Sequence, residues 1–151
     1  MTTETPQQWN ARYAEGNTPW DNDQPDSELA RVVQQSAIAA CRMLELGCGT
    51  GTNAVWLAQQ GFNVTAFDLA QLAIEKAQAR ASGANVGIKF FQGDVFSLPD
   101  LGEPFEFVFD RGVYHCVRRL NAALFAEVVA GWTAPGGHYL TLAGNPNEPH
   151  S

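Results

Sequence analysis

Positive charge is scarce in this chain. Nine Lys and Arg stand against sixteen Asp and Glu in 151 residues, a formal net charge of −7. Proteins that bind nucleic acid carry a basic face to neutralise phosphates, and the nine cations here do not cluster, which argues against a nucleic-acid partner. Cysteine is equally sparse. Cys41, Cys48 and Cys116 are odd in number and lack metal-ligand spacing, so they read as reduced thiols of a cytoplasmic protein, with no metal. No apolar run nears the ~18 residues of a membrane span. The first ten residues include Glu4 and no apolar core of a signal peptide, so no membrane partner is expected. Repeats and low-complexity stretches are absent. What remains is a chain that is 45% hydrophobic, the composition of a globular protein with a core, and one domain on a prior of roughly 100–200 residues each.

The chain is organised around Met43-Leu44-Glu45-Leu46-Gly47-Cys48-Gly49-Thr50-Gly51-Thr52-Asn53. This reads as a strand, a glycine turn and the start of a helix. Glycine serves where backbone needs positive φ or close approach to a ligand. Three alternate glycines are expected to bare backbone N–H groups at the mouth of the next helix, a surface for a nucleotide-like ligand. Glu45 lies two residues before the first glycine, and Asp68 ends the next apolar run.

Around that stretch, strands and helices alternate. Ser27 is a plausible N-cap for a helix to about Ala40, with Leu29, Val32, Val33, Ala37 and Ala40 on one face. Strand one spans about Arg42 to Leu46. A helix from Asn53 to Gln60 stops at Gly61. Strand two is Phe62 to Phe67, followed by a helix from Ala70 to Ala81. Strand three is Ile88 to Gln92, and strand four is Phe105 to Phe109, ending at Asp110. A helix from Leu120 to Trp132 buries Leu124, Phe125, Val128, Val129 and Trp132. Strand five runs from His138 to Ala143. This order predicts an α/β fold: a Rossmann-like three-layer sandwich around a mostly parallel sheet of about five strands. In such sheets ligands sit at the carboxyl ends of the strands, where Asp68, Asp94 and Asp110 fall. Residues 27–151 form this domain. Residues 1–26 precede it as a loop-rich segment with Trp9, Tyr13 and Trp20, either a flap over the core or a lid whose rings face a bound cation.

The ligand can be narrowed from spacing. A dinucleotide fingerprint, Gly-x-Gly-x-x-Gly, counted from Gly47 needs its third glycine at 52, which is Thr52; no Lys-Ser or Lys-Thr pair marks a P-loop. A ligand without a pyrophosphate fits better, and the acid beneath the turn suits a cation.

Glu45-Leu46-Gly47-Cys48-Gly49-Thr50-Gly51 resembles motif I of the class I S-adenosylmethionine-dependent methyltransferases. A narrower likeness covers Trp9-x-x-x-Tyr13, Thr18-Pro19-Trp20-Asp21, Asp94-Val95-Phe96 and Phe109-Asp110-Arg111-Gly112-Val113-Tyr114-His115-Cys116, which are similar to the thiopurine, halide and thiol methyltransferases and to the tellurite-resistance methyltransferases. The resemblance implies S-adenosyl-L-methionine as cofactor. It sets Glu45, Gly47, Cys48, Gly49 and Gly51 against the methionine part and Asp68, with Leu69 beside it, on the ribose. Asp94 and Val95 then read the adenine, Asp110 faces the transfer site, and Trp9, Tyr13 and Trp20 become a lid touching the cofactor. It implies methyl transfer to a small-molecule acceptor, a soft nucleophile such as a thiol, halide or tellurite.

Three further residues are candidates for the acceptor side. His115 is either a general base for a thiol or a loop histidine without catalytic duty. Arg111 pairs with an anionic substrate or with Asp110. Tyr114 lines the acceptor pocket. Cys116 reads as filler, since transfer from a sulfonium needs no covalent intermediate. The sequence stops soon after strand five, without the closing antiparallel strands usual in that family. This leads to an expectation of a homodimer through an exposed strand-five edge, or of a truncated chain. The alternatives are a module that binds S-adenosylmethionine without catalysis and, disfavoured by the glycine spacing, an NAD-dependent oxidoreductase.

Overall fold

The computed structural model describes residues 6–15, 24–35, 38–111 and 113–142; the side chains of residues 9, 12, 13, 15 and 113–120 are outside that description. The elements run α1 (Pro6–Glu15), α2 (Ser27–Gln34), β1 (Arg42–Leu46), α3 (Thr52–Gln59), β2 (Asn63–Asp68), α4 (Gln71–Gly83), β3 (Lys89–Gln92), β4 (Phe105–Asp110), α5 (Val113–Trp132) and β5 (Thr133–Thr141). The strands form one sheet in the order β3-β2-β1-β4-β5, and every pairing is parallel.

Each central strand is apolar on both faces because helices cover both. Met43, Val64, Ala66, Phe107 and Phe109 pack with Leu29 of α2, Ala54 and Leu57 of α3, and Ile74 of α4. The alternate residues Leu44, Leu46, Phe67 and Val108 pack with Phe125 and Val129 of α5. The sandwich is therefore three-layered, as expected. The strand order reverses between β1 and β4, and a crevice at the carboxyl end of that pair is where such sheets take ligands.

The helices depart from expectation in informative ways. The cap of α2 is Asp26, not Ser27: its Oδ1 accepts the N–H groups of Glu28 and Leu29 at 2.9 and 3.2 Å. The helix ends at Gln34 rather than near Ala40, and Ile38 joins the core from a bend. Helix α5 begins at Val113, so Tyr114 and His115 belong to a helix and not to a loop. It is broken at Asn121 (φ −162°, ψ 78°), whose Oδ1 caps Leu124 N–H at 2.9 Å. The second piece matches the helix read from Leu120; the first carries only a short stripe, Val113, Cys116, Val117 and Leu120, at helical spacing. Leu124 is 38% exposed rather than buried.

Strand β5 starts five residues before the expected His138. The Pro135-Gly136-Gly137 turn lies inside it as a register shift against β4 between Phe105 and Phe107. A Cβ at Gly137 would lie 2.8 Å from the Glu106 carbonyl oxygen and 2.9 Å from that of Ala134. Both contacts are backbone and cannot yield cheaply. Gly137→Ala should therefore lower stability by about 1–3 kcal/mol, read as a lower urea midpoint with an unchanged slope.

Candidate functional site at the carboxyl edge of the sheet

The turn after β1 brings Gly47, Gly49 and Gly51 to φ values of 67°, 57° and 86°. Residues with a Cβ rarely adopt this left-handed region, so the turn is built for glycine. Its amides are not bare, however. Gly49 N–H donates to Asp68 Oδ2 at 2.9 Å, and Gly51 N–H donates to the Cys48 carbonyl at 3.1 Å. Buried backbone donors are nearly always satisfied, and here the protein supplies its own carboxylate. The anion seat that a pyrophosphate would need is thus taken at Gly49, which independently weighs against a dinucleotide.

Three carboxyl groups lie at this edge. Asp68, the last residue of β2, is held by Gly49 N–H and by Ala70 N–H, the latter on Oδ1 at 2.9 Å. Burial raises its pKa, opposed by the N–H groups of Ala70, Gly49 and Leu69. Asp110, the last residue of β4, is fully buried, and its Oδ2 accepts hydroxyl protons from Thr141 at 3.1 Å and Tyr139 at 3.3 Å. Glu45, in β1 between them, is 2% exposed. It points to the α3 face, with Met43, where Asn53 at the start of α3 is its hydrogen-bond partner. Asn53 Oδ1 is engaged by Asp26 N–H at 2.8 Å, so its amide nitrogen is the donor to Glu45. Among the described residues, Glu45 Oε1 has no hydrogen-bond partner. Burial, followed by the charges of Asp68 and Asp110, pushes the Glu45 carboxyl well above the usual range.

The other expected residues are placed as follows. Asp94, just past β3, is exposed; its Oδ1 accepts Phe96 N–H at 2.9 Å, and Val95 is buried beside it. Leu69 is half-buried, and its carbonyl accepts Gln92 Nε2 at 3.0 Å. Cys48 is buried, and burial raises its thiol well above the ordinary range, which suits a loop filler. Arg111 forms an ion pair with Asp26 Oδ2 at 2.8 Å, an acid that the sequence did not suggest as its partner. That pair ties the end of β4 to the start of α2. Trp9 and Tyr13 lie four positions apart in α1, and Tyr114 and His115 open α5, but the side chains of all four lie outside the described residues, as does the whole of Trp20.

Several working residues were not foreseen. Asn10 of α1 accepts Leu72 N–H at 2.9 Å. It supplies the cap that Ala70 cannot give α4 and fixes α1 beside the tip of β2. Asn53, Asp26, Tyr139 and Thr141 are the others. Asn53 follows the glycine turn directly, and Asp26 precedes a Ser-Glu pair; both were legible as polar residues at helix starts. Nothing in the sequence shows that Tyr139 and Thr141 reach Asp110. Among the described residues, no group of three or more His, Cys, Asp or Glu is arranged for a metal ion, and no helix is long and apolar enough to cross a membrane.

Comparison with known proteins decides the family. The model of the thiopurine S-methyltransferase family matches residues 4–149. The chain belongs to that family. It is 27% identical over 135 residues to the probable thiol methyltransferase 2 of Arabidopsis thaliana, covering 89% of this chain and 60% of that protein. It is 28% identical over 137 residues to thiocyanate methyltransferase 1 of Brassica oleracea, again covering 89% and 60%. Among solved structures, a SAM-dependent methyltransferase from Thiobacillus denitrificans in complex with S-adenosyl-L-homocysteine is similar at 26% identity. Its TM-score is 0.68, covering 87% of this chain and 53% of that one. The chain thus spans about three fifths of the length of these curated relatives. This family member has β5 at the edge of its sheet; the homodimer expected there gains no support from the relatives.

Proposed function

We propose that the chain is the cofactor-binding part of an S-adenosyl-L-methionine-dependent methyltransferase that methylates a small molecule with a soft nucleophilic atom. The observation that carries this reading is the buried Glu45 carboxyl with an unpartnered oxygen, set between Asp68 and Asp110 beside a left-handed glycine turn. A buried polar atom without a partner is costly, and a cationic ligand would supply both the missing donor and the compensating charge.

The residues fit the cofactor. Glu45 would receive the ammonium of its methionine part. Each Asp68 oxygen accepts one backbone N–H, and carboxylate oxygens have further lone pairs, so the pair of ribose hydroxyls has acceptors there. Asp94 uses Oδ1 on Phe96 and keeps Oδ2 for the adenine amino group, with the Val95 backbone beside it. Gly47, Gly49 and Gly51 let backbone approach closely, with Cys48 and Leu69 along the same wall. Trp9, Tyr13 and Trp20 are assigned to a lid, and Asn10 holds α1, which carries Trp9 and Tyr13, next to the β2 tip. Rings facing a sulfonium would each contribute about 0.5–2 kcal/mol.

S-adenosylmethionine supplies an already activated methyl group on a sulfonium. The protein's tasks are then to align the acceptor and to keep water away. Asp110, held by Tyr139 and Thr141 at the end of β4, would face the acceptor side. Arg111, 41% exposed in its side chain and paired with Asp26, would meet an anionic acceptor at the rim. His115 and Tyr114, in the first turn of α5, are assigned to the acceptor: His115 to take a thiol proton, Tyr114 to line the pocket. Thiols and small soft anions are favoured acceptors because the named relatives include thiol and thiocyanate methyltransferases.

Titration calorimetry with S-adenosylmethionine tests the cofactor, with saturable binding expected. Release of S-adenosylhomocysteine with a panel of thiols, halides and tellurite tests the reaction. Binding without release on any acceptor would reduce the chain to a binding module; no binding would overturn the proposal.

A further inference from the structure

The three carboxyl groups of the site are unequally supported, and that inequality has a consequence for binding. Asp68 accepts two backbone N–H groups, and Asp110 accepts two hydroxyls. Among the described residues, Glu45 has Asn53 as its partner and nothing at Oε1. Burial in a low-dielectric site and the charges of Asp68 and Asp110 oppose ionisation of Glu45, so a proton is retained there, where hydrogen-bond support is weakest. Building on the cofactor reading above, we propose that entry of the cofactor's ammonium drives one proton off Glu45 into solvent, so that cofactor affinity rises with pH.

Among the described residues, the groups facing Glu45 are few. Asp68 comes from β2, Asp110 from β4, Arg111 from the residue after β4, Asn53 from α3 and Cys48 from the glycine turn. Asp26, from the start of α2, meets Asn53 through its N–H and directs its carboxylate to Arg111. Arg111 favours the charged form of Glu45, but burial and the two acids outweigh it. The step balances simply. The neutral carboxyl and the ligand ammonium become a carboxylate–ammonium pair, and the carboxyl proton passes to buffer. No bond to carbon changes.

The sign follows from linkage. The ligand-free carboxyl holds its proton to higher pH than the ligand-bound one. Between those two values affinity increases with pH, approaching about tenfold per pH unit for one full proton. Below and above that window it is flat in this group. The ligand's own α-amino group loses its proton near about 7.7–8.0, so the measurement belongs below that range.

The test is titration calorimetry of the 151-residue chain with S-adenosylmethionine at about pH 6–7, below the α-amino range, in two buffers of different ionisation enthalpy. The expected result is net proton release that disappears in Glu45→Gln, together with weaker binding that no longer strengthens with pH. Equal heats in both buffers, or undiminished release from Glu45→Gln, would overturn the inference while leaving cofactor binding intact. Absence of binding at every pH would instead defeat the cofactor reading. A second measurement needs no variant: in protein labelled with ¹³C-glutamate, the infrared band of a neutral glutamic carboxyl should vanish on ligand addition. Its persistence, or its absence before ligand is added, would count against the proposal.

Discussion

Gly51→Ala will destabilise the chain by about 2–5 kcal/mol, the sum of a left-handed backbone penalty and an overpacked contact. Gly51 has φ 86° and is the N-cap position of α3. A Cβ there would lie 2.9 Å from Ala77 Cβ and 3.1 Å from Ala77 Cα. Ala77 is fully buried in α4, and its Cα cannot rotate away, so α3 must separate from α4. Against a total stability of roughly 5–15 kcal/mol for a domain, the loss is large. It should appear in urea unfolding as a strongly reduced midpoint. Because the same residue ends the turn beside Glu45 and Asp68, cofactor binding should be lost as well. Gly83→Ala is the control. It sits at the end of α4, where an added Cβ would meet nothing within 4 Å, and exchanging glycine for alanine in a helix gains at most about 1 kcal/mol. Equal losses at both positions would show that the contact with Ala77 is not the cause.

Glu45→Gln will stabilise the ligand-free chain at neutral pH. The folded protein holds the Glu45 carboxyl well above its ordinary value of 4.5, so the native state keeps a proton that the unfolded chain has given up. Stability from this group is therefore full below the ordinary carboxyl range and is lost as pH rises toward the folded pKa. Glutamine mimics the neutral form and can keep the bond from Asn53, so it escapes that loss. Relieving an ill-supported buried carboxyl contributes about 1–3 kcal/mol, or roughly 2–10 °C in Tm for a chain of this size. Asp68 is raised in the same direction, so a smaller downward slope with pH should survive in the variant. Thermal unfolding of both proteins from acid to neutral pH is the measurement. A gap that widens with pH is expected; a variant less stable than wild type at neutral pH would disprove the argument. The stabilised variant should bind the cofactor less tightly, a trade common at functional sites.

The paired behaviour of Glu45 and Gly51 also shows what could be read before the structure. The strand–turn–helix at Met43 to Asn53 was legible because its apolar run, three spaced glycines and following helix are all local signals. The positions of Asp68 and Asp110 were legible too, since each closes a run of β-forming residues. The first piece of α5 was signalled by Val113, Cys116, Val117 and Leu120 at helical spacing, a short stripe that went unread beside the candidate acceptor residues Tyr114 and His115. The long β5 was hidden by Pro135-Gly136-Gly137, which read as a boundary and proved to be a bulge within the strand. The early end of α2 reflects tertiary override: Ile38 leaves the helical path to fill the core.

Sequence alone determined the alternation of strands and helices, the parallel sheet, the need for glycine at the turn and the row of acids along one edge. These depend on local periodicity and on backbone constraints carried by single residues. Only the tertiary structure decided how those acids differ. Which carboxyl receives N–H groups, which receives hydroxyls and which is left without a donor depends on residues far apart in the chain: Gly49 on Asp68, Thr141 on Asp110, Asn53 on Glu45. The same packing gave the Gly49 and Gly51 amides partners and paired Arg111 with Asp26. Hydrogen-bond partners and burial are properties of the folded neighbourhood, and a linear pattern places an acid at a strand end without saying what surrounds it.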